Sequence, residues 1–445
     1  FFFFNFQKSL RIAHALHTKE EEFVVKRREI VFQSLQKHEI HCSQNKVPHI
    51  ALLSSGGGQR AMVGLLGSLV QLDKAGLLDC ILYLSGVSGS TWCMASLYQE
   101  PDWSTKLETV KDNIIKKLSG PGVSWGDAFA KLKKYYYGKD FFSLTDLWAA
   151  IVVTTYMKEI DEHTLTDKRS QLSKDPFPIY TVTDKCFLSA DPWFEISPHE
   201  AGYSLTGAFV ETSSFASQFD NGSKKKHQPE IDMLYLQGIK LCHMSLLIFP
   251  IPMYTDHRKI NMFEEMKEDP NSPPVEKWYQ VLMDLVDMNL CVLNVKDPSA
   301  LDQSIRTTLN DLAAGKSQLI FPTQKLNLAD KEAAKLYMKQ YTEDVCNYLS
   351  QFSLGPFGRL NLRLCICKCM ALWIWGRNYN FLHNMSDESV PSALLQSETR
   401  DFEDAGLLLN SPYFSVLRKE RDIDLIISLD FSEVKDTDHL EIIVH

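Results

Sequence analysis

Residues 48–69 read PHIALLSSGGGQRAMVGLLGSL, and residues 81–97 read ILYLSGVSGSTWCMASL. Each is an apolar run that meets a glycine-rich turn and continues into a helical pattern. In the first, Ile50 to Leu53 leads into Gly56-Gly57-Gly58 and Arg60. In the second, Ile81 to Leu84 leads into Gly86-Val87-Ser88-Gly89-Ser90. G-x-S-x-G between strand and helix is the nucleophile-elbow pattern, in which a tight turn exposes the serine hydroxyl at the helix N-terminus. A serine attacking an ester builds an oxyanion, which needs preorganised N–H donors about 3 Å away. A triple-glycine turn at a neighbouring strand end can supply them, because glycine lets bare backbone approach a ligand. The pair of turns points to acyl transfer, with Ser88 as nucleophile and Ser85 and Ser90 as local alternatives.

Two other readings of the glycines fail. Gly56-x-Gly58-x-x-Ala61 fits the dinucleotide fingerprint, but that site needs an acidic residue at the end of the next strand. Asp79 precedes that strand instead, and the strand ends in Ser85-Gly86. No G-K-[ST] follows the glycines, so a phosphate-binding P-loop is excluded.

Outward from these turns, residues 49–98 alternate strand, turn and helix, which predicts an α/β sheet with helices on both faces. Charge with spaced apolar residues predicts one or two amphipathic helices over Lys8 to Ile40, and Pro101 to Ile160 reads as helical. Phe177 to Thr183, Trp193 to Ile196 and Asp424 to Leu429 read as strands. The stretch from about Asp220 to Leu326 is less regular. Its punctuation by Phe249-Pro250-Ile251-Pro252 and Asp269-Pro270-Asn271-Ser272-Pro273-Pro274 suits an inserted cap with mobile loops.

The chain has 445 residues, a net charge of -9 and 44% apolar residues. Its length allows a large core, and its acidity argues against a general nucleic-acid binder. No apolar run reaches the ~18 residues of a membrane span. Ten cysteines without framework spacing read as reduced intracellular thiols. The opening FFFFNFQ has no cleavage site after it and reads as a fragment end, which leaves a cytoplasmic location as the expectation.

The remaining candidates are less distinctive. Arg60, at the start of the helix after the glycine turn, is either a surface arginine or a clamp on a substrate phosphate. A serine nucleophile needs a base. None of the histidines downstream of Ser88 (His199, His227, His243, His257, His383, His439 and His445) stands in a diagnostic motif, whereas Asp404 sits at a turn before Leu407-Leu408-Leu409. Asp401, Asp422, Asp424 and Asp430 compete with it. Cys365, Cys367 and Cys369 alternate in LRLCICKCM and would share one face of a strand, but they lack the spacing and second pair of a zinc site. No EF-hand pattern is present, so no metal site is expected. Lys224-Lys225-Lys226 reads as a solvated loop.

Three blocks carry a resemblance to the group IV cytosolic phospholipases A2, within the patatin-like lipases. They are SSGGGQRAMVGLLGSLVQLDKAGLLDCILYLSGVSGSTW (54–92), WFEISPHEAGYSLTGAFVETSSFASQFDNG (193–222) and DAGLLLNSPY with RDIDLIISLDFS (404–413, 421–432). The resemblance implies a three-layer patatin-like, α/β-hydrolase-like sheet carrying a Ser88–Asp404 dyad. Gly57 and Gly58 would form the oxyanion hole, and Arg60 would hold the phospholipid phosphate. It implies one catalytic domain over the whole chain, with a cap and lid inserted over about Gly202 to Gln396. The implied reaction is hydrolysis of a glycerophospholipid acyl ester, with a membrane surface as partner. Transfer of the acyl chain to a lysolipid or amine on the same dyad, and a non-catalytic lipid-binding protein, are the alternatives. No cofactor is implied for the chemistry. Calcium enters the family through an N-terminal C2 domain, which this sequence does not show.

Overall fold

The computed structural model describes residues 10–167, 174–185, 192–239, 275–293, 295–313, 326–328, 330–350, 362, 365–366, 368–370 and 372–432. These fall into two compact units. The first comprises Phe1–Phe141, Thr145–Pro252 and Trp375–His445, and the second Phe142–Leu144 and Met253–Ile374.

In chain order the first unit begins with β1 (Leu10–Ile12), α1 (Thr18–Lys37), β2 (Ile50–Ser54), α2 (Gln59–Lys74), β3 (Tyr83–Gly86) and α3 (Ser90–Tyr98). Helices α4 (Leu107–Leu118), α5 (Trp125–Gly138), α6 (Leu144–Trp148) and α7 (Thr154–Met157) follow, with a π-helical turn at Ala149–Val153 between the last two. Then come β4 (Phe177–Asp184), β5 (Trp193–Ile196), β6 (Glu200–Tyr203), β7 (Ala208–Glu211), β8 (Gln218–Asp220), β9 (Ser223–Lys226) and α8 (Met233–Ile239). After the second unit the chain adds β10 (Arg377–Tyr379), β11 (Thr399–Asp404) and β12 (Leu425–Leu429).

The main sheet runs β1-β7-β6-β5-β4-β3-β2-β12, with β11 paired to β4 and β10 to β11; β8 and β9 form a separate hairpin. Strands β12, β2, β3 and β4 are parallel, and β5, β6, β7 and β1 continue antiparallel. A parallel strand is covered on both faces and therefore reads as a continuous apolar run, as Ile50–Leu53 and Ile81–Leu84 do. Ala51 and Leu53 pack with Phe23 and Val24 of α1, together with Tyr83, Phe177 and Ile179. Leu52 and Leu84 alternate with them and are also fully buried, so the opposite face is covered too.

The second unit contains the helices Val275–Leu293, Ser299–Ala313 and Lys331–Ser350. Val281, Leu285 and Met288 of the first pack with Ile305 and Leu309 of the second and Met338, Tyr341 and Val345 of the third. Asp302 accepts bonds from Arg306 Nε (2.8 Å) and Tyr341 Oη (2.6 Å), tying two of the helices together.

The predicted strands at 177–183, 193–196 and 424–429 and the helical run over 101–160 are present. Four expectations are corrected. The region from Lys8 contributes a strand, β1, before its helix. Lys224 to Lys226 form most of β9, though their side chains are exposed. The middle is largely helical where it is described. The described residues around Cys365 and Cys369 are helical rather than extended. Phe1 to Gln7, Phe249 to Pro252, Asp269 to Pro274, Cys367, His243, His257, His439 and His445 lie outside the described residues. Of the cap expected over 202–396, β6 through α8, together with β10, belong to the sheet unit. Among the described residues no helix is long and apolar enough to cross a membrane.

Candidate active site

Strand β3 ends at Gly86, and the chain turns through Val87 and Ser88 into α3. Ser88 has φ +52°, the left-handed strain that the elbow pattern predicts. Val87 N–H donates to Ser54 O (3.1 Å), and Thr91 N–H and Oγ1 donate to Ser88 O (3.0 and 2.6 Å). The turn is thereby fixed at both ends. The Ser88 side chain is largely buried.

The glycine loop lies against this turn. A Cβ on Gly89 would sit 1.9 Å from Gly58 O, so only glycine allows the elbow and the loop to meet. A Cβ on Gly56 would fall 2.6 Å from Ser88 Cβ and 3.3 Å from Ser88 Oγ. The Gly56 N–H is already used, donating to Asn410 O (3.2 Å) and Asn410 Oδ1 (3.0 Å). Gly57 and Gly58, both at positive φ, follow it at the start of α2. A helix N-terminus leaves its first N–H groups without intrahelical partners and favours negative charge there.

The position of Asp404 follows from strand register. On β4, Gly86 of β3 is opposite Tyr180, and Asp404 of β11 is opposite Val182. Strand β5 occupies the other edge of β4 over Tyr180 to Thr183, so β3 and β11 succeed each other along one edge. Asp404 therefore lies about two residues, roughly 7 Å, beyond Gly86 along β4, at the level of the elbow. Val87 and Ala405, the neighbours of Ser88 and Asp404 in sequence, pack together against Trp193. Asp404 is largely buried, and its Oδ1 accepts the Gly406 N–H (2.9 Å). No hydrogen bond joins Ser88 Oγ to this carboxylate among the described residues. Such bonds are often long in unliganded sites and tighten only when substrate binds.

Arg60 begins α2 with an exposed side chain. Its Nε donates to Phe431 O (2.8 Å), in the loop after β12, and one terminal nitrogen would lie 3.4 Å from a Cβ on Gly57. The Phe431 ring covers Gly64 of α2, and Phe431 N–H donates to Ser55 Oγ (2.6 Å). The structure thus gathers Gly57, Gly58, Ser88, Asp404 and Arg60 around the C-terminal ends of β2, β3 and β11. Of the competing carboxylates, Asp401 forms a two-point ion pair with Arg377 (2.6 and 2.7 Å), and Asp424 accepts from His49 N–H (2.8 Å). Asp430 is held below the usual carboxylate range: burial pushes it up, but hydrogen bonds from Ser432 and Ser55 and the nearby Arg60 charge outweigh that.

Asn410 and Phe431 also shape this site, and sequence reading did not single them out. Asn410 stands six residues after Asp404, in a stretch where only a turn residue would be noticed. A cavity of about 220 Å³ lies elsewhere in the unit, walled by Tyr135, Tyr235 and Tyr379, and none of the five site residues lines it. Among the described residues no cluster of three or more His, Cys, Asp or Glu side chains is placed to hold a metal ion.

Residues 50–269 match the lysophospholipase catalytic domain family. Mouse cytosolic phospholipase A2 gamma is 31% identical over 94% of this chain and 73% of its own length. Mouse cytosolic phospholipase A2 zeta is 27% identical over 95% of this chain, which spans only 47% of that relative. Among solved structures, human GIVD cytosolic phospholipase A2 superposes with a TM-score of 0.59 at 22% identity, over 95% of this chain and 48% of that one; it speaks for the α/β three-layer fold alone. With a relative this similar over most of both lengths, the chain is a phospholipase A2 of the cytosolic phospholipase A2 family.

Proposed function

We propose that the chain hydrolyses the acyl ester of glycerophospholipids through an acyl-serine intermediate. The observation that carries this reading is the register of β4, which sets Asp404 beside the Ser88 elbow. Asp404 takes the Ser88 proton as Oγ attacks the ester carbonyl, and the tetrahedral oxyanion forms against the N–H groups of Gly57 and Gly58. As the intermediate collapses, Asp404 passes that proton to the leaving glycerol oxygen, which releases the lysophospholipid, leaves the acyl chain on Ser88 and restores the carboxylate. Water, deprotonated by the same carboxylate, then attacks the acyl carbonyl, and the proton returns to Ser88 Oγ as the fatty acid leaves. Exposed Leu407, Leu408 and Leu409 beside Asp404 give the site an apolar rim, which suits a protein bound at the surface of cytoplasmic membranes.

The test is incubation with phosphatidylcholine vesicles. Free fatty acid and lysophospholipid should appear in equal amounts. A fluorophosphonate should label Ser88, found by peptide mapping, and stop the reaction. Labelling at another serine, or undiminished turnover after complete labelling, would overturn the assignment.

Arg60 yields a separate expectation. Lysine keeps the charge but loses the planar fork that grips a phosphate. Arg60→Lys should lower turnover of phospholipid by about 1.5–3 kcal/mol more than turnover of an aryl ester without phosphate, the range for one hydrogen bond to a charged group. The aryl ester controls for the bond to Phe431 O, which lysine also disturbs. Equal losses on both substrates would mean that Arg60 only braces the loop.

A further inference from the structure

We infer that Asn410 is a positioning residue for the oxyanion hole, setting the direction of the Gly57 N–H. This rests on the Ser88 reading above and adds a residue to it. The Asn410 side chain forms a two-point clamp on Gly56: Oδ1 accepts from Gly56 N–H (3.0 Å) and Nδ2 donates to Gly56 O (3.3 Å). Nδ2 also donates to Ser432 Oγ (2.5 Å). The Gly56 partners fix which end of the amide is which, because an N–H must face the oxygen and a carbonyl the nitrogen.

The consequence follows from peptide geometry. Gly56 C=O and Gly57 N–H belong to one planar trans peptide, so they point in opposite directions. Holding the carbonyl on the Asn410 side turns the Gly57 N–H to the other side. Between two glycines, with no Cβ on either flank, that peptide would otherwise rotate freely. The Ser55 hydroxyl, 3.5 Å from the same carbonyl, is too distant to replace the clamp.

Asn410 also touches both halves of the machinery. Its Oδ1 lies 2.5 Å from a Cβ built on Gly56, which is itself 2.6 Å from Ser88 Cβ. The same oxygen lies 3.0 Å from a Cβ built on Gly406, which is 3.2 Å from Asp404 Oδ1. One side chain therefore sets the glycine loop against the turn that carries Asp404. Donors aimed in advance at the developing charge are what an oxyanion hole requires.

The decisive variant is Asn410→Asp, which keeps the shape and the acceptor but replaces the donor. When ionised, the introduced carboxylate faces the Gly56 carbonyl and repels it. When protonated, it can donate in place of Nδ2. On phospholipid vesicles kcat should fall 10- to 100-fold at pH 8 with KM within twofold of wild type. The variant-to-wild-type ratio of kcat should rise as the pH is lowered to 5, where the introduced carboxyl begins to protonate. Ser432→Ala, which removes the other Nδ2 partner, should keep kcat within twofold. A ratio independent of pH, a loss confined to KM, or an unchanged kcat at pH 8 would each overturn the inference. Ser88→Ala in the same assay separates the two claims. If Ser88→Ala stays active, the nucleophile is wrong; if it is inactive while Asn410→Asp behaves as wild type, only the clamp is.

Discussion

Ser88→Ala is expected to lower fatty-acid release from vesicles by on the order of 10⁴- to 10⁶-fold, the range seen when a serine nucleophile is removed and only the oxyanion hole and binding remain. The fold should survive. Removing one hydroxyl from a left-handed turn already pinned by Ser54 O and Thr91 leaves those backbone bonds intact. Asp404→Asn keeps the side-chain volume and the bond from Gly406 N–H but cannot take a proton, so a loss on the order of 10²- to 10⁴-fold is expected. The double variant should be no worse than Ser88→Ala, because residues that act as one unit are not additive. Turnover of each variant, normalised to an unchanged thermal midpoint, is the measurement. A double variant whose loss equals the product of the two single losses would mean that Asp404 acts independently of the serine.

The elbow and the glycine loop were legible because parallel strands are buried on both faces. Nothing but apolar residues suits Ile50–Leu53 and Ile81–Leu84, and the glycines announce where backbone must approach backbone. Strand β11 was not legible as a strand. Thr399 to Asp404 reads TRDFED, yet Arg400, Asp401, Phe402 and Asp404 are all buried. Their charges are matched by partners distant in sequence: Arg400 with Asp184 at 3.4 Å, and Asp401 with Arg377 at 2.6 Å. Burying a charge costs little enough only when a partner is in place, and a hydropathy pattern cannot see partners more than twenty residues away. Asp404 could be picked out by resemblance, but its closeness to Ser88 is a property of register on β4. Asn410 escaped notice for the same reason, since Gly56, which its side chain clamps, lies 354 residues earlier in the chain.

The same blindness hid the ion cluster beneath the sheet, where the largest expected loss of stability lies. Fully buried Arg421 donates to Glu195 (2.8 and 2.9 Å), to Glu20 of α1 (2.9 Å) and to Ser415 O. Arg418 adds a third arginine bond to Glu195 at 2.6 Å. Ser415 in turn shares a hydroxyl bond with Ser85 of β3, three residues before the nucleophile (2.8 Å). The cluster therefore ties α1, β5 and the elbow strand to one guanidinium. Arg421→Met removes that charge, leaving Glu20 buried with its charge uncompensated and Glu195 with Arg418 alone, at an expected cost of about 3–5 kcal/mol. Against a total stability of about 5–15 kcal/mol, that is a large fraction, to be read from denaturant midpoints. The acid limb gives an independent check. Burial pushes the Glu195 carboxyl up, but Arg421 and Arg418 more than offset this and hold it at about 2. Its folded value lies below the ordinary value of 4.5, so its contribution is fully present above pH 4.5 and is lost as pH falls towards 2. Glu195→Gln lacks this titration, so the gap in stability between wild type and variant should narrow across that window. A gap that stays constant from pH 5 to pH 2.5 would show that the ion pairs at Glu195 contribute nothing net, and that its burial among Arg418, Arg421 and Ser204 is a matter of packing.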